Sequence, residues 1–303
     1  MGRRLSWASK TGVDIREGLS RMSTSTMWTY FQTPTQIVRA STGTDFAYRR
    51  MGDRGGIPLV LGNYFAANMD DWDPLIVDRL AADRDVIAFD YPGIGRSTGS
   101  TPATVAELAT ECVGFLAALG LTTVDFLGFS LGGMIAQQIA SSHPETIRRM
   151  ILCGTGPRGG LNMTFTELSI ADLADPEALL LKSFFTPSDV SQATGRSYLA
   201  RLDRPEAERD WPVTRAAAET QLASIREWGE IPMTDRYAML KGIYQPTLIV
   251  HGTKDVVVDV ANAVVLAENL SDAILLMLPD ASHGAQSQYS DVFLANAKLF
   301  LGS

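Results

Sequence analysis

Gly128-Phe129-Ser130-Leu131-Gly132 sets a serine between two glycines, after the apolar run Val124 to Phe129 and before an apolar run in which Ile135 and Ile139 stand four apart. A strand that turns sharply into a helix strains the backbone of the residue at the corner, and glycines two positions to either side let the turn close without a side-chain collision. Such an elbow lifts the Ser130 hydroxyl clear of a sheet edge at the positive end of a helix and aims the Leu131 backbone N–H at any oxyanion that forms there. That is the chemistry of nucleophilic attack on a carbonyl. Five residues with two glycines also recur in ordinary turns, so the remaining residues must decide.

A serine hydroxyl needs a base, and histidine serves best near neutral pH. The chain has three histidines. His143, in Ser142-His143-Pro144, ends the helical run after Ser130 and reads as a cap on its last carbonyls. His251 directly follows Leu248 to Val250 beside Gly252 and reads as a structural loop residue. His283 lies in Pro279-Asp280-Ala281-Ser282-His283-Gly284, a loop after the last apolar run, from which a side chain reaches the carboxyl edge of a sheet. The imidazole in turn needs an acid to orient it. Asp255, in His251-Gly252-Thr253-Lys254-Asp255, fits; Asp259, its nearest rival, precedes a helix-forming run and reads as an N-cap. The other place for an acid, after Cys153, holds Gly154-Thr155-Gly156-Pro157 and no carboxylate.

The elements that must hold these groups alternate. Gln36 to Arg39 and Phe46 to Arg49 flank Ser41-Thr42-Gly43-Thr44 as a hairpin. Ile57 to Leu61, Val86 to Phe89, Val124 to Phe129, Met150 to Cys153, Thr247 to Val250 and Ile274 to Leu278 are short apolar runs without alternation, as strands covered on both faces are. Helical patterns separate them. The clearest starts at the capping box Thr104-Val105-Ala106-Glu107 and repeats Val105, Leu108, Cys112, Phe115 and Leu119 up to Gly120. Strand and helix in alternation predict an α/β fold with a mostly parallel sheet and right-handed crossovers. The Gly93-x-Gly95 loop after Phe89 lacks the third glycine of a dinucleotide motif, since position 98 is Thr. From 160 to 243 the rhythm breaks into proline-separated helices over Pro176 to Phe185, Ser188 to Arg204 and Thr214 to Gly229. The expected division is therefore a core of 36–159 and 244–303 with a helical cap of 160–243. Phe184, Phe185, Trp211, Trp228, Met233 and Tyr237 are the cap residues that could line a pocket, although each taken singly reads first as packing the cap onto the body.

The chain's 303 residues, 46% of them hydrophobic, suffice for one large core with an insertion. Its net charge of −8 argues against nucleic acid and against an anionic membrane, leaving a small molecule as the expected partner. Cys112 and Cys153 sit in apolar runs and read as buried free thiols. No apolar run reaches the ~18 residues of a membrane span. Met1-Gly2-Arg3-Arg4-Leu5-Ser6 fits a loose myristoylation pattern, and Arg3-Arg4 matches the start of a twin-arginine signal, but no apolar segment follows. Residues 1–35 are expected to be a flexible or amphipathic leader, or to precede a start at Met22 or Met27, and the location cytoplasmic.

Taken together, the first-strand loop before Asp71-Trp72, Asp90-Tyr91-Pro92-Gly93-x-Gly95-x-Ser97, the Ser130 elbow, Gly252-Thr253-Lys254-Asp255 and Ala281-Ser282-His283-Gly284 resemble the α/β-hydrolase superfamily over nearly all of the chain after residue 35. The order Ser130, Asp255, His283 is the order of that superfamily. The resemblance implies a serine hydrolase, without a cofactor, that cleaves a carboxylic ester or lactone through an acyl-enzyme. It also implies a second oxyanion donor, the backbone N–H of Phe65, although Asn63-Tyr64 stands where the family has His-Gly, so that Asn63 or Tyr64 could meet substrate. Haloalkane dehalogenases and epoxide hydrolases of this fold carry an aspartate where Ser130 stands. More loosely, the Asn63-Tyr64-Phe65 loop and the Asp70-Asp71-Trp72 turn are similar to esterases of bacterial resistance cassettes, some relatives of which open macrolide lactones. A smaller ester or enol-lactone, or cofactor-free perhydrolase or haloperoxidase chemistry, remains open on the same residues.

Overall fold

The architecture is that of a computed structural model, which describes residues 29–163, 175–205 and 208–302. Residues 1–28 of the expected leader and 164–174 and 206–207 of the expected cap lie outside them. Leader residues 29–32 form a helical turn, α1 (Thr29–Gln32), with Tyr30 buried and its backbone N–H 2.7 Å from Asp78 Oδ1.

Among the described residues eight strands form one sheet in the order β1-β2-β4-β3-β5-β6-β7-β8. They are β1 (Gln36–Arg39), β2 (Asp45–Met51), β3 (Leu59–Gly62), β4 (Val86–Phe89), β5 (Val124–Phe129), β6 (Ile147–Cys153), β7 (Thr247–Gly252) and β8 (Ala273–Leu278). The hairpin β1-β2 and the β2-β4 pair are antiparallel, and every pair from β4 to β8 is parallel. The parallel pairs are joined through α2 (Pro74–Ala81), α3 (Val105–Ala118), α4 (Leu131–Ser142) and α8 (Ala261–Asn269). Between β6 and β7 lie α5 (Pro176–Phe184), α6 (Asp189–Leu202) and α7 (Arg215–Gly229), and α9 (Ala285–Gln288) and α10 (Ser290–Gly302) follow β8.

The lack of polar alternation in the strands has a direct cause. Val124 and Phe126 of β5 pack with α3, α4 and α8 on one face, whereas Leu127 and Phe129 pack with α2 and α10 on the other. Period two therefore alternates between two apolar cores. Local chemistry fixes the helix ends: at α3, Thr104 Oγ1 accepts the Glu107 N–H and Glu107 Oε2 accepts the Thr104 N–H, both at 3.2 Å. Cys112 and Cys153 are buried and unbridged. Among the described residues no helix is long and apolar enough to cross a membrane.

β6 begins three residues before the apolar run Met150 to Cys153, at Ile147. Its arginines hid the start: Arg148 pairs with buried Asp125 of β5 at 2.7 Å, and Arg149 donates to the Phe300 carbonyl at 2.8 Å.

Candidate active site

Ser130 is the corner between β5 and α4, with φ 53° and ψ −111°, a region disfavoured for any side chain but glycine. Its backbone holds the corner: the Ser130 N–H donates to Cys153 O at 2.9 Å, and its carbonyl accepts the Thr155 hydroxyl at 2.9 Å. Gly132 shows why a side chain is excluded here. A Cβ on it would lie 2.0 Å from the Gly62 carbonyl oxygen, while its N–H donates to Asn63 O at 2.9 Å. The elbow and the loop after β3 are thus clasped backbone to backbone.

That loop carries Phe65. Among the described residues, neither the Phe65 nor the Leu131 backbone N–H has a hydrogen-bond partner. A contact that sequence reasoning missed, Ala66 with Gln221, shapes the loop. Ala66 takes φ 57°, and its N–H donates to Oε1 of fully buried Gln221 on α7 at 2.8 Å. Asn63 turns inward, donating from Nδ2 to Asn68 O at 2.6 Å and accepting the Tyr64 N–H at 2.9 Å. Asn63 is thereby a loop brace and not a cavity residue.

The loops after β7 and β8 meet beside the elbow. His283 Nδ1 lies 2.9 Å from Asp255 Oδ2, and the Val257 and Val258 N–H groups donate to Asp255 Oδ1 at 2.8 and 2.9 Å. His251, read from the sequence as structural, is fully buried with Nε2 3.2 Å from the same Asp255 Oδ2 and 2.9 Å from Val258 O. Burial alone would push the Asp255 carboxyl up. The facing imidazoles, His283 first and His251 after it, reverse that and hold it well below the usual carboxylate range. Only tertiary distance reveals the second imidazole; the spacing His251 to Asp255 was its one trace in the sequence. His143 is exposed at the end of α4, where its backbone N–H donates to Ile139 O, and Asp259 Oδ1 accepts the Ala261 N–H at 2.9 Å, so both rivals sit at helix ends.

Ser130 and His283 both line a cavity of about 140 Å³, with Tyr64, Phe65, Ala66, Asp71, Met134, Ser183, Ile225 and Val257 among its walls. No hydrogen bond joins the Ser130 hydroxyl to the imidazole, which is held from its other side by Asp255. Phe184 closes the cavity, its ring 5.6 Å from His283 and 5.2 Å from Tyr64, and the Gly284 N–H donates to the Phe184 carbonyl at 3.0 Å. Tyr64 packs between Phe129 and Phe184, with ring centroids 5.1 and 5.2 Å away.

The other cap residues face elsewhere. Phe185 packs on Tyr198, and Trp228 is buried against the body with Nε1 3.2 Å from Gly156 O. Trp211 and Met233 are exposed, with Arg96 over the Trp211 ring, and Tyr237 is half-buried beneath Arg236. Helical periodicity marks a residue as apolar-facing without saying which neighbour it faces. Leu179, Leu180 and Ile225 fill the cavity wall instead.

Residues 57–288 match the family described as alpha/beta hydrolase fold. Among solved structures the chain is similar to an alpha/beta hydrolase fold protein from Chitinophaga pinensis, 36% identical with a TM-score of 0.84, covering 90% of this chain and 99% of that one. It is also similar to a structure described as an N-acyl homoserine lactone degrading enzyme, 25% identical with a TM-score of 0.64, covering 88% of this chain and all of the other. A non-heme haloperoxidase of Rhodococcus erythropolis is 28% identical over 288 residues, 88% of this chain and 99% of that protein. On the match of residues 57–288 and the agreement of the fold, this chain belongs to the alpha/beta hydrolase fold family.

Proposed function

We propose that the chain is a serine hydrolase that cleaves a small carboxylic ester or lactone through an acyl-enzyme, with the helices between β6 and β7 as a cap over the site. The observation that carries this reading is the strained Ser130 corner sharing one cavity with an imidazole held by a buried carboxylate. Ser130 Oγ attacks the carbonyl carbon while His283 Nε2 takes its proton; Nδ1–H donates to Asp255, which stabilises the imidazolium. The tetrahedral oxyanion is received by the Leu131 and Phe65 N–H groups. Collapse expels the alkoxide, which takes the proton from His283. Water, deprotonated by the same imidazole, then adds to the acyl-enzyme and frees the acid and Ser130.

The small cavity suits a short acyl chain or small ring, and the macrocyclic-lactone reading finds no support in it. The similarity to a haloperoxidase over nearly the whole chain favours one variation: hydrogen peroxide in place of water at deacylation releases a peracid. Hydrolysis of a p-nitrophenyl ester series from acetate to decanoate, with and without peroxide, tests the proposal. Turnover greatest for short chains and abolished in Ser130→Ala supports it; full turnover in Ser130→Ala contradicts it.

A further inference from the structure

Among the described residues, Asp71 is the acidic one in the cavity wall that Ser130 and His283 share. Its neighbours in sequence are spoken for. Asp70 pairs with Arg49 at 2.8 Å and with Arg204, and Asp73 holds Arg201 at 2.7 Å. Asp71 has no ion pair among the described residues. Its Oδ2 accepts the Asn68 N–H at 2.8 Å, which closes the capping box of the turn Met69–Asp71. That bond accounts for one oxygen and supplies no counter-charge.

The surroundings are poor in water substitutes. Burial is the largest influence on the Asp71 carboxyl and pushes it up to about 6; the Asn68 N–H opposes this, Asp70 adds to it, and Arg209 and Arg204 oppose it weakly, being engaged by Asp203 and Asp70. The Tyr198 hydroxyl turns to the Asp71 carbonyl at 3.4 Å and not to its carboxylate. A half-buried carboxylate without an ion pair gains from a cation that is itself leaving water. The same cavity offers the aromatic rings of Tyr64, Phe65 and Phe184, whose faces also attract an ammonium group.

We propose that Asp71, with the rings of Tyr64, Phe65 and Phe184, is a subsite for an alkylammonium group, so that the preferred esters carry a cationic amine near the scissile carbonyl. This rests on the reading of Ser130 as the nucleophile of the same cavity. Asp71 selects substrate; it takes no part in bond making.

Isosteric pairs that differ only in charge test it. On the alcohol side these are butyrylcholine and 3,3-dimethylbutyl butyrate; on the acyl side, p-nitrophenyl esters of 4-(trimethylammonio)butanoate and 5,5-dimethylhexanoate. The expected ratio of kcat/KM, cation over neutral, is about tenfold or more in one pair. It collapses toward one in Asp71→Asn, which keeps an oxygen for the Asn68 N–H. Because a quaternary ammonium does not titrate, the wild-type ratio also rises as pH rises through about 6, whether or not the variant folds. A ratio of one or below in both pairs overturns the subsite, as does a ratio unchanged by the substitution or flat with pH. If no ester is turned over, the reading of Ser130 has failed, and calorimetric binding of the same pairs to wild type still decides the subsite: equal affinity for cation and neutral isostere overturns it.

Discussion

His283 Nδ1 stands 2.9 Å from Asp255 Oδ2, and that same oxygen lies 3.2 Å from His251 Nε2. One carboxylate oxygen is therefore shared by two imidazoles, only one of which reaches the cavity. With Nε2 protonated, His251 donates to both Val258 O and Asp255, bracing the acid from behind. Asp255→Asn should lower kcat by about four orders of magnitude by leaving His283 in the wrong tautomer. His251→Phe should lower it about tenfold, the size of one charge-assisted hydrogen bond near 1.5 kcal/mol. If His251 acts through Asp255, the double variant is no slower than Asp255→Asn alone. Multiplying losses in steady-state assays would contradict this.

The clasp between the elbow and the loop after β3 predicts a second result. Gly132→Ala places a methyl 2.0 Å from a backbone oxygen that cannot rotate away, so the loop holding Phe65 must move. Thermal or urea unfolding should show a loss of about 1–3 kcal/mol. Activity should fall further than that loss of folded protein explains, because both proposed oxyanion donors flank the displaced contact. Unchanged stability and turnover would remove the clasp from the account.

A third result concerns the seam between Asp210 and the loop after β4. Asp90 Oδ2 and Asp210 Oδ2 are both buried without hydrogen-bond partners, while Asp90 Oδ1 accepts the Met69 N–H at 2.7 Å and Asp210 pairs with Arg96 at 3.1 Å. Burial first, and Asp210 after it, push the Asp90 carboxyl well above its usual value. The folded state then keeps a proton that the unfolded chain loses near pH ~3.9, so stability declines as pH rises from there through the raised value. Asp90→Asn removes the dependence and can donate to Asp210. Its melting temperature should match wild type at pH 3.5 and exceed it by about 2–4 °C at pH 8. Equal curves at both pH values would show that the pair is not protonated in the fold.

What could be read from the sequence is what is encoded locally. The capping box at Thr104, the run Val86 to Phe89 and the glycines around Ser130 are each specified by a few adjacent residues, and each element stands where those residues put it. Asp255 and His283 were legible because strand ends deliver loops to one sheet edge. The cap was not legible at the level of side chains: Trp228 and Ile225 lie three apart on α7, yet one enters the body and the other the cavity wall. Asp71 stood in the sequence only as part of a turn and His251 only as a structural loop residue, because folding alone sets the cavity beside the one and Asp255 beside the other.

Reaction with a fluorophosphonate, followed by mass spectrometry of the digested protein, asks the central question most directly. The account predicts one adduct, on Ser130, formed in wild type and lost in Ser130→Ala, and slowed by several orders of magnitude in His283→Ala. Labelling at another residue, or an adduct rate at Ser130 indifferent to His283, would contradict it.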